Sequence, residues 1–94
     1  MATRGVAMTI PFTAWDTSAN APKTGDGANF TLRWVKDGTA STLTTATVTQ
    51  IDATNAPGEY TVGISATEAD CNIGKLVGKS STANVVIIPV QIQF

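Results

Sequence analysis

The sequence contains no histidine, and that absence narrows its chemistry more than any other feature. Imidazole is the commonest general base near neutral pH and the commonest transition-metal ligand, so histidine-dependent triads and ordinary zinc sites are excluded. Cysteine occurs once, at Cys71, which rules out an intramolecular disulfide and leaves a thiol with no histidine to activate it. Such a chain is expected to fold in a reducing cell or to draw stability from assembly. Charged residues make up only 14 %, well below the usual share. The cations Arg4, Lys23, Arg33, Lys36, Lys75 and Lys79 are scattered and form no stripe, so a nucleic-acid partner is not expected. No apolar run approaches a membrane span, and "MATRGVAMTIPFTAW" lacks the apolar core of a signal peptide, so neither membrane insertion nor secretion is expected. Helical periodicity of useful length is missing as well.

What is present suits a sheet. Apolar residues reach 43 %, which is globular, and 94 residues are enough for one domain, expected to span 1–94 and to stand alone. Thr and Ala are abundant, as in sheets whose outer faces carry Thr instead of Lys and Glu. From Val6 to Trp15 the residues Val6, Met8, Ile10, Phe12 and Ala14 share one face, a half-buried strand that Pro11 places at an edge or breaks. "DTSANAPKTGDGA" is turn chemistry and reads as a loop. Phe30, Leu32 and Trp34 then face one way, and Asp37-Gly38 reverses the chain. The Thr-rich stretch Ser41 to Asp52 is extended, with a bulge or strand end between Val48 and Ile51, whose parities differ. "NAPGE" reads as a turn, Tyr60, Val62 and Ile64 as an inward face, and "GKLVGKSS" as a strand of unassigned register. In "NVVIIPVQIQF", Val86, Ile88, Val90, Ile92 and Phe94 alternate, while the first half is apolar on both faces. Six or seven short strands separated by Gly, Pro and Asn turns give an all-β sandwich.

One segment breaks the strand pattern. Ser65-Ala66-Thr67-Glu68 fits a capping box, and Asn72 and Gly74 end whatever begins there. A single helical turn at this point would carry the chain from one sheet to the other, with Cys71 tucked beneath it.

Candidate chemistry is thin. Glu68 and Asp70 are two apart and point away from each other on a helical turn, so they read as a cap and a solvated acid. Asp16, Asp26 and Asp37 lie at strand ends or in loops, where oxygen ligands can gather for Ca²⁺, but their spacing matches no calcium-binding loop. They read as turn formers, and neither metal nor cofactor is expected. No Gly-x-Ser-x-Gly elbow occurs. Asn29-Phe30-Thr31 matches a glycosylation sequon by chance. Trp34 and Tyr60 share parity with core residues, whereas Trp15 has outward parity and is a candidate contact anchor.

The succession "FTLRWVKDG", "VTQID", "PGEYTVGISATE" and "NVVIIPVQI" resembles small immunoglobulin-like modules of tailed-bacteriophage structural proteins. The similarity covers roughly Phe12 to Phe94. It implies an immunoglobulin-like β-sandwich of about seven strands with one short helical turn, and no catalytic residues. It also implies a virion component that folds in the bacterial cytoplasm before docking, with the major capsid protein or other virion proteins, and copies of itself, as partners. A capsid decoration protein is the leading expectation, with tail, collar or baseplate as the alternative. Residues 1–7 are the expected docking arm, so the candidate contact residues are Met1, Ala2, Thr3, Arg4 and Trp15. A competing expectation is a carbohydrate or host-surface binding module built on Trp15 and the loops. A small enzyme is the least favoured, for want of bases and ligands.

Overall fold

The computed structural model describes residues 3–43 and 47–94, so part of the Thr-rich stretch, 44–46, lies outside the described residues. The chain forms an all-β, sandwich-like fold from one antiparallel sheet curled on itself. Its strands are β1 (Met8–Asp16), β2 (Ala21–Pro22), β3 (Phe30–Lys36), β4 (Thr39–Thr42), β5 (Val48–Asp52), β6 (Ala56–Ile64), β7 (Ile73–Ser80), β8 (Val85–Ile88) and β9 (Val90–Gln93), with a 3₁₀ turn at Gly27–Asn29. The order across the sheet is β4-β3-β7-β8-β1-β6-β5, with β2 beside β1 and β9 beside β7.

The curl follows from the aromatic contacts. Phe30 on β3 and Tyr60 on β6 are separated by three intervening strands, which in a flat sheet would hold them about 19 Å apart. Their ring centroids are 4.9 Å apart, edge to face, and Phe12 packs on both. The two halves therefore close over one core of Ile10, Phe12, Ala14, Leu32, Trp34, Tyr60, Val62, Ile64, Leu76, Val85 and Ile87. Period-two alternation delivers these side chains to the concave side, as expected for β1, β3 and β6.

The Asp37-Gly38 reversal forms with φ of 49° and 90°, the left-handed pair that a two-residue hairpin requires. β5 alternates without interruption and leaves Ile51 on its exposed face; the register shifts between Gln50 and Asp52, where the extra residues lie on β6.

Four expectations need correction. Val6 is exposed, because β1 begins only at Met8 and the preceding chain peels away to hydrogen-bond Ala69. "NAPGE" is not the turn. Ala53–Asn55 makes it, organised by the Asp52 carboxylate, and the strand resumes at Ala56. Pro57 falls in the register gap between Asp52↔Ala56 and Gln50↔Tyr60, where its missing N–H is tolerated. Gly58 follows at φ 80°, and a Cβ there would strike Pro22 and the Ala14 carbonyl, so glycine lets β6 end its pairing with β1 where β2 begins. The loop from Asp16 to Ala28 contains β2 and the start of the 3₁₀ turn. Finally, the closing strand changes parity at Pro89. Val85 and Ile87 are buried while Val86 and Ile88 are exposed, and inward parity then passes to Val90, Ile92 and Phe94. The sequence reads as one strand because a residue apolar on either face hides the flip.

β8 and β9 thus serve different neighbours. β8 pairs with β1 from Asp16↔Val85 to Thr13↔Ile88 and touches β7 through Lys79↔Val86, whereas β9 pairs with β7 from Leu76↔Val90 to Ile73↔Gln93. This settles the register of "GKLVGKSS": Gly74 and Leu76 face the core.

Candidate functional site

The capping box forms as the residue types require. The Ser65 amide donates to the Glu68 carboxylate at 2.8 Å, and the Glu68 amide donates to the Ser65 hydroxyl at 3.2 Å. One helical bond, from the Ala69 amide to the Ser65 carbonyl, follows at 2.9 Å before the turn ends. The turn carries the chain from β6 to β7, which sit on opposite halves of the curled sheet. Cys71 is fully buried beneath it, with Sγ 3.7 Å from the Glu68 carbonyl, and burial pushes its thiol pKa up.

This crossover is tied to the N-terminal segment, to the β3–β4 turn and to the end of β9. Arg4 donates from Nε to Asp70 at 2.8 Å and from Nη1 to Asn72 at 2.7 Å, while the Gly5 amide donates to the Ala69 carbonyl at 3.0 Å. The hydrogen bond and charge of Arg4 hold the Asp70 carboxyl below the usual carboxylate range. Asp37 in the β3–β4 turn accepts the amides of Asn72 and Ile73, and Lys36 donates to the Thr67 carbonyl at 2.6 Å. From the other end of the chain, the Phe94 amide donates to the Asn72 carbonyl.

Of the candidate contact residues, Met1 and Ala2 lie outside the described residues. Thr3 and Arg4 are exposed and precede β1. Trp15 is only half-buried, opposite Pro22 on one side and Val86 on the other. Seven residue steps along β1 separate Met8 from Trp15, about 24 Å of extended chain, so Arg4 and Trp15 do not form one site.

The aspartates serve the backbone. Asp16 accepts the amides of Ser18 and Ala19. Asp26 is buried, and its carboxylate accepts from the hydroxyls of Ser80 at 2.6 Å and Thr82 at 2.7 Å and from the Asn29 amide group at 2.7 Å. Burial pushes the Asp26 pKa up, but the three hydrogen bonds outweigh it and hold the group below the ordinary value. This hub ties the 3₁₀ turn to the end of β7, and the Tyr60 hydroxyl adds bonds to the Asp26 amide and the Lys23 carbonyl. Among the described residues, no group of three or more His, Cys, Asp or Glu is placed to hold a metal ion.

Shallow depressions open on the surface among the described residues. One of about 320 Å³ is lined by Ala7, Met8, Thr9, Gly63, Ile64 and Ser65, next to the N-terminal segment. Another, of about 560 Å³, lies on the outer face of β3 and β7, between Thr31, Arg33, Val77, Gly78 and Lys79. The sequence reading missed Glu59, whose carboxylate accepts the Thr13 hydroxyl at 2.9 Å and 3.0 Å. It also missed the Asp26 hub. Both depend on which strands are neighbours, which spacing alone does not reveal.

Comparison with models of known protein families, with curated proteins and with solved structures finds no match.

Proposed function

We propose that the protein is a non-enzymatic structural component of a tailed-bacteriophage particle, most simply a decoration protein docked on the major capsid protein. The observation that carries the proposal is the segment Thr3–Ala7. It is exposed and outside every strand, and it is fastened to the crossover through Arg4 and Gly5. An ion pair at the surface contributes little, so such a segment can exchange its intramolecular partners for those of a neighbour at small cost. The rest of the domain supplies a rigid scaffold. Among the described residues, every buried side-chain polar atom has a hydrogen-bond partner. The sequence resemblance supplies the particle, and the low charge content suits a surface that must be covered.

The test is the copy number of the protein in purified particles, by quantitative mass spectrometry against the major capsid protein. A ratio near one, or a simple fraction set by capsid symmetry, supports the decoration role. A few copies per particle move the protein to the collar, tail or baseplate, and absence from the particle overturns the proposal. Deleting residues 1–7 then tests the arm: unchanged particle binding by the folded variant would sink docking through it.

A further inference from the structure

The outer face of the sheet carries an apolar strip that the core does not use. Val86 and Ile88 on β8 are each 45 % exposed, and Trp15 on β1 is half-buried beside them. Their position follows from the parity change at Pro89, which sends alternate residues of an all-apolar strand outward. The strip is bordered by opposite charges. Lys79 stands directly across from Val86, which stands across from Trp15. On the next outward row, Ile88 stands across from Thr13, and Thr13 across from Glu59. The two bonds from the Thr13 hydroxyl hold the Glu59 carboxylate over β1, on the strip side of its own strand. Neither Glu59 nor Lys79 has an oppositely charged hydrogen-bond or ion-pair partner among the described residues.

An apolar centre with an unpaired acid on one border and an unpaired base on the other is complementary to itself. We propose that two copies of this chain pair through the strip, face to face, about a two-fold axis that runs parallel to the sheet over the boundary between β8 and β1. The rotation sets Glu59 of each copy against Lys79 of the other and buries Val86, Ile88 and the open side of Trp15. A single-signed border would favour a partner of opposite charge; the mixed border favours a second copy. Glu59 and Lys79 are three strand spacings apart, about 14 Å along the sheet, so the buried area is small and the pair is weak and reversible. This inference does not rest on the virion proposal.

Sedimentation equilibrium of the full chain, from about 10 µM to about 1 mM, reads the association directly. The expected result is a monomer–dimer equilibrium that weakens as salt is raised. Lys79→Glu or Glu59→Lys alone should weaken it about tenfold, and the double reversal should restore most of the loss, because each copy then presents the same complementarity with signs exchanged. Val86→Asp should abolish it. All three positions face outward, so circular dichroism should show unchanged folding in each variant. A chain that stays monomeric to about 1 mM overturns the inference. So does a stoichiometry other than two, or a dimer indifferent to the charge reversals.

Discussion

The indole nitrogen of Trp34 donates to the Glu68 carbonyl at 2.9 Å, joining the centre of the core to the crossover that caps it. Trp34 is fully buried, and Gly74 across the ladder has no side chain because the indole ring fills the space where a Cβ would sit. Trp34→Phe should therefore destabilise by about 2–4 kcal/mol, combining lost volume with a buried carbonyl that keeps the weak Cys71 thiol donor but loses the indole N–H. Gly74→Ala should cost about 1–3 kcal/mol or more through overpacking. Urea unfolding of both variants checks this, and a neutral Gly74→Ala would mean that the ring moves aside freely.

The reciprocal cap gives a graded series. Ser65→Ala should cost about 1 kcal/mol. Glu68→Gln should cost less than Glu68→Ala, since an amide oxygen still reaches the Ser65 amide. Equal losses for Gln and Ala in thermal melts would show that the charge, and not the reach, matters.

Acid should unfold the protein partly through Asp26. Its pKa is lower in the folded chain than in the unfolded one, so the stability it contributes is complete above the unfolded value near 3.8 and is lost as pH falls through the folded value. Asp26→Asn should destabilise by about 2 kcal/mol at neutral pH, with the gap from the unmodified protein narrowing below about pH 4. A gap that stays constant down to low pH would refute this linkage.

The N-terminal fastening should be local. Removing the Arg4 side chain by Arg4→Ala should accelerate hydrogen exchange at the Gly5 amide, which bonds the Ala69 carbonyl, while the melting temperature hardly moves. Raising salt should do the same to the unmodified protein. An unaltered Gly5 exchange rate would assign the fastening to the backbone bond alone.

How much of this was legible depended on range along the chain. The inward faces of β1, β3 and β6 could be read from alternation, because each strand has one covered face and polar residues on the other. The capping box could be read because its partners are three residues apart. Alternation failed at Pro89, where apolar residues on both faces leave no contrast to reveal a change of parity. It also said nothing about neighbours. Arg4 and Asp70 are 66 positions apart, and Ser80 and Asp26 are 54 apart, so neither pairing has a local signature. Trp15 was named for its outward parity, yet the Val86 and Ile88 beside it were placed on one face with Val90, Ile92 and Phe94, which pack against the core.

The adjacency of β1 and β8 also sets an order in time. The Thr17 hydroxyl and amide both bond the Asn84 carbonyl, 67 positions later, and the ladder beside them joins the first strand of this domain to one of its last. At about 5–20 residues per second, β1 waits several seconds for that partner. During this interval its edge lies open, and only the β6 side can be covered first. Closure is therefore a late event in the formation of this domain, governed by a long loop, and its folding should be slow for its size.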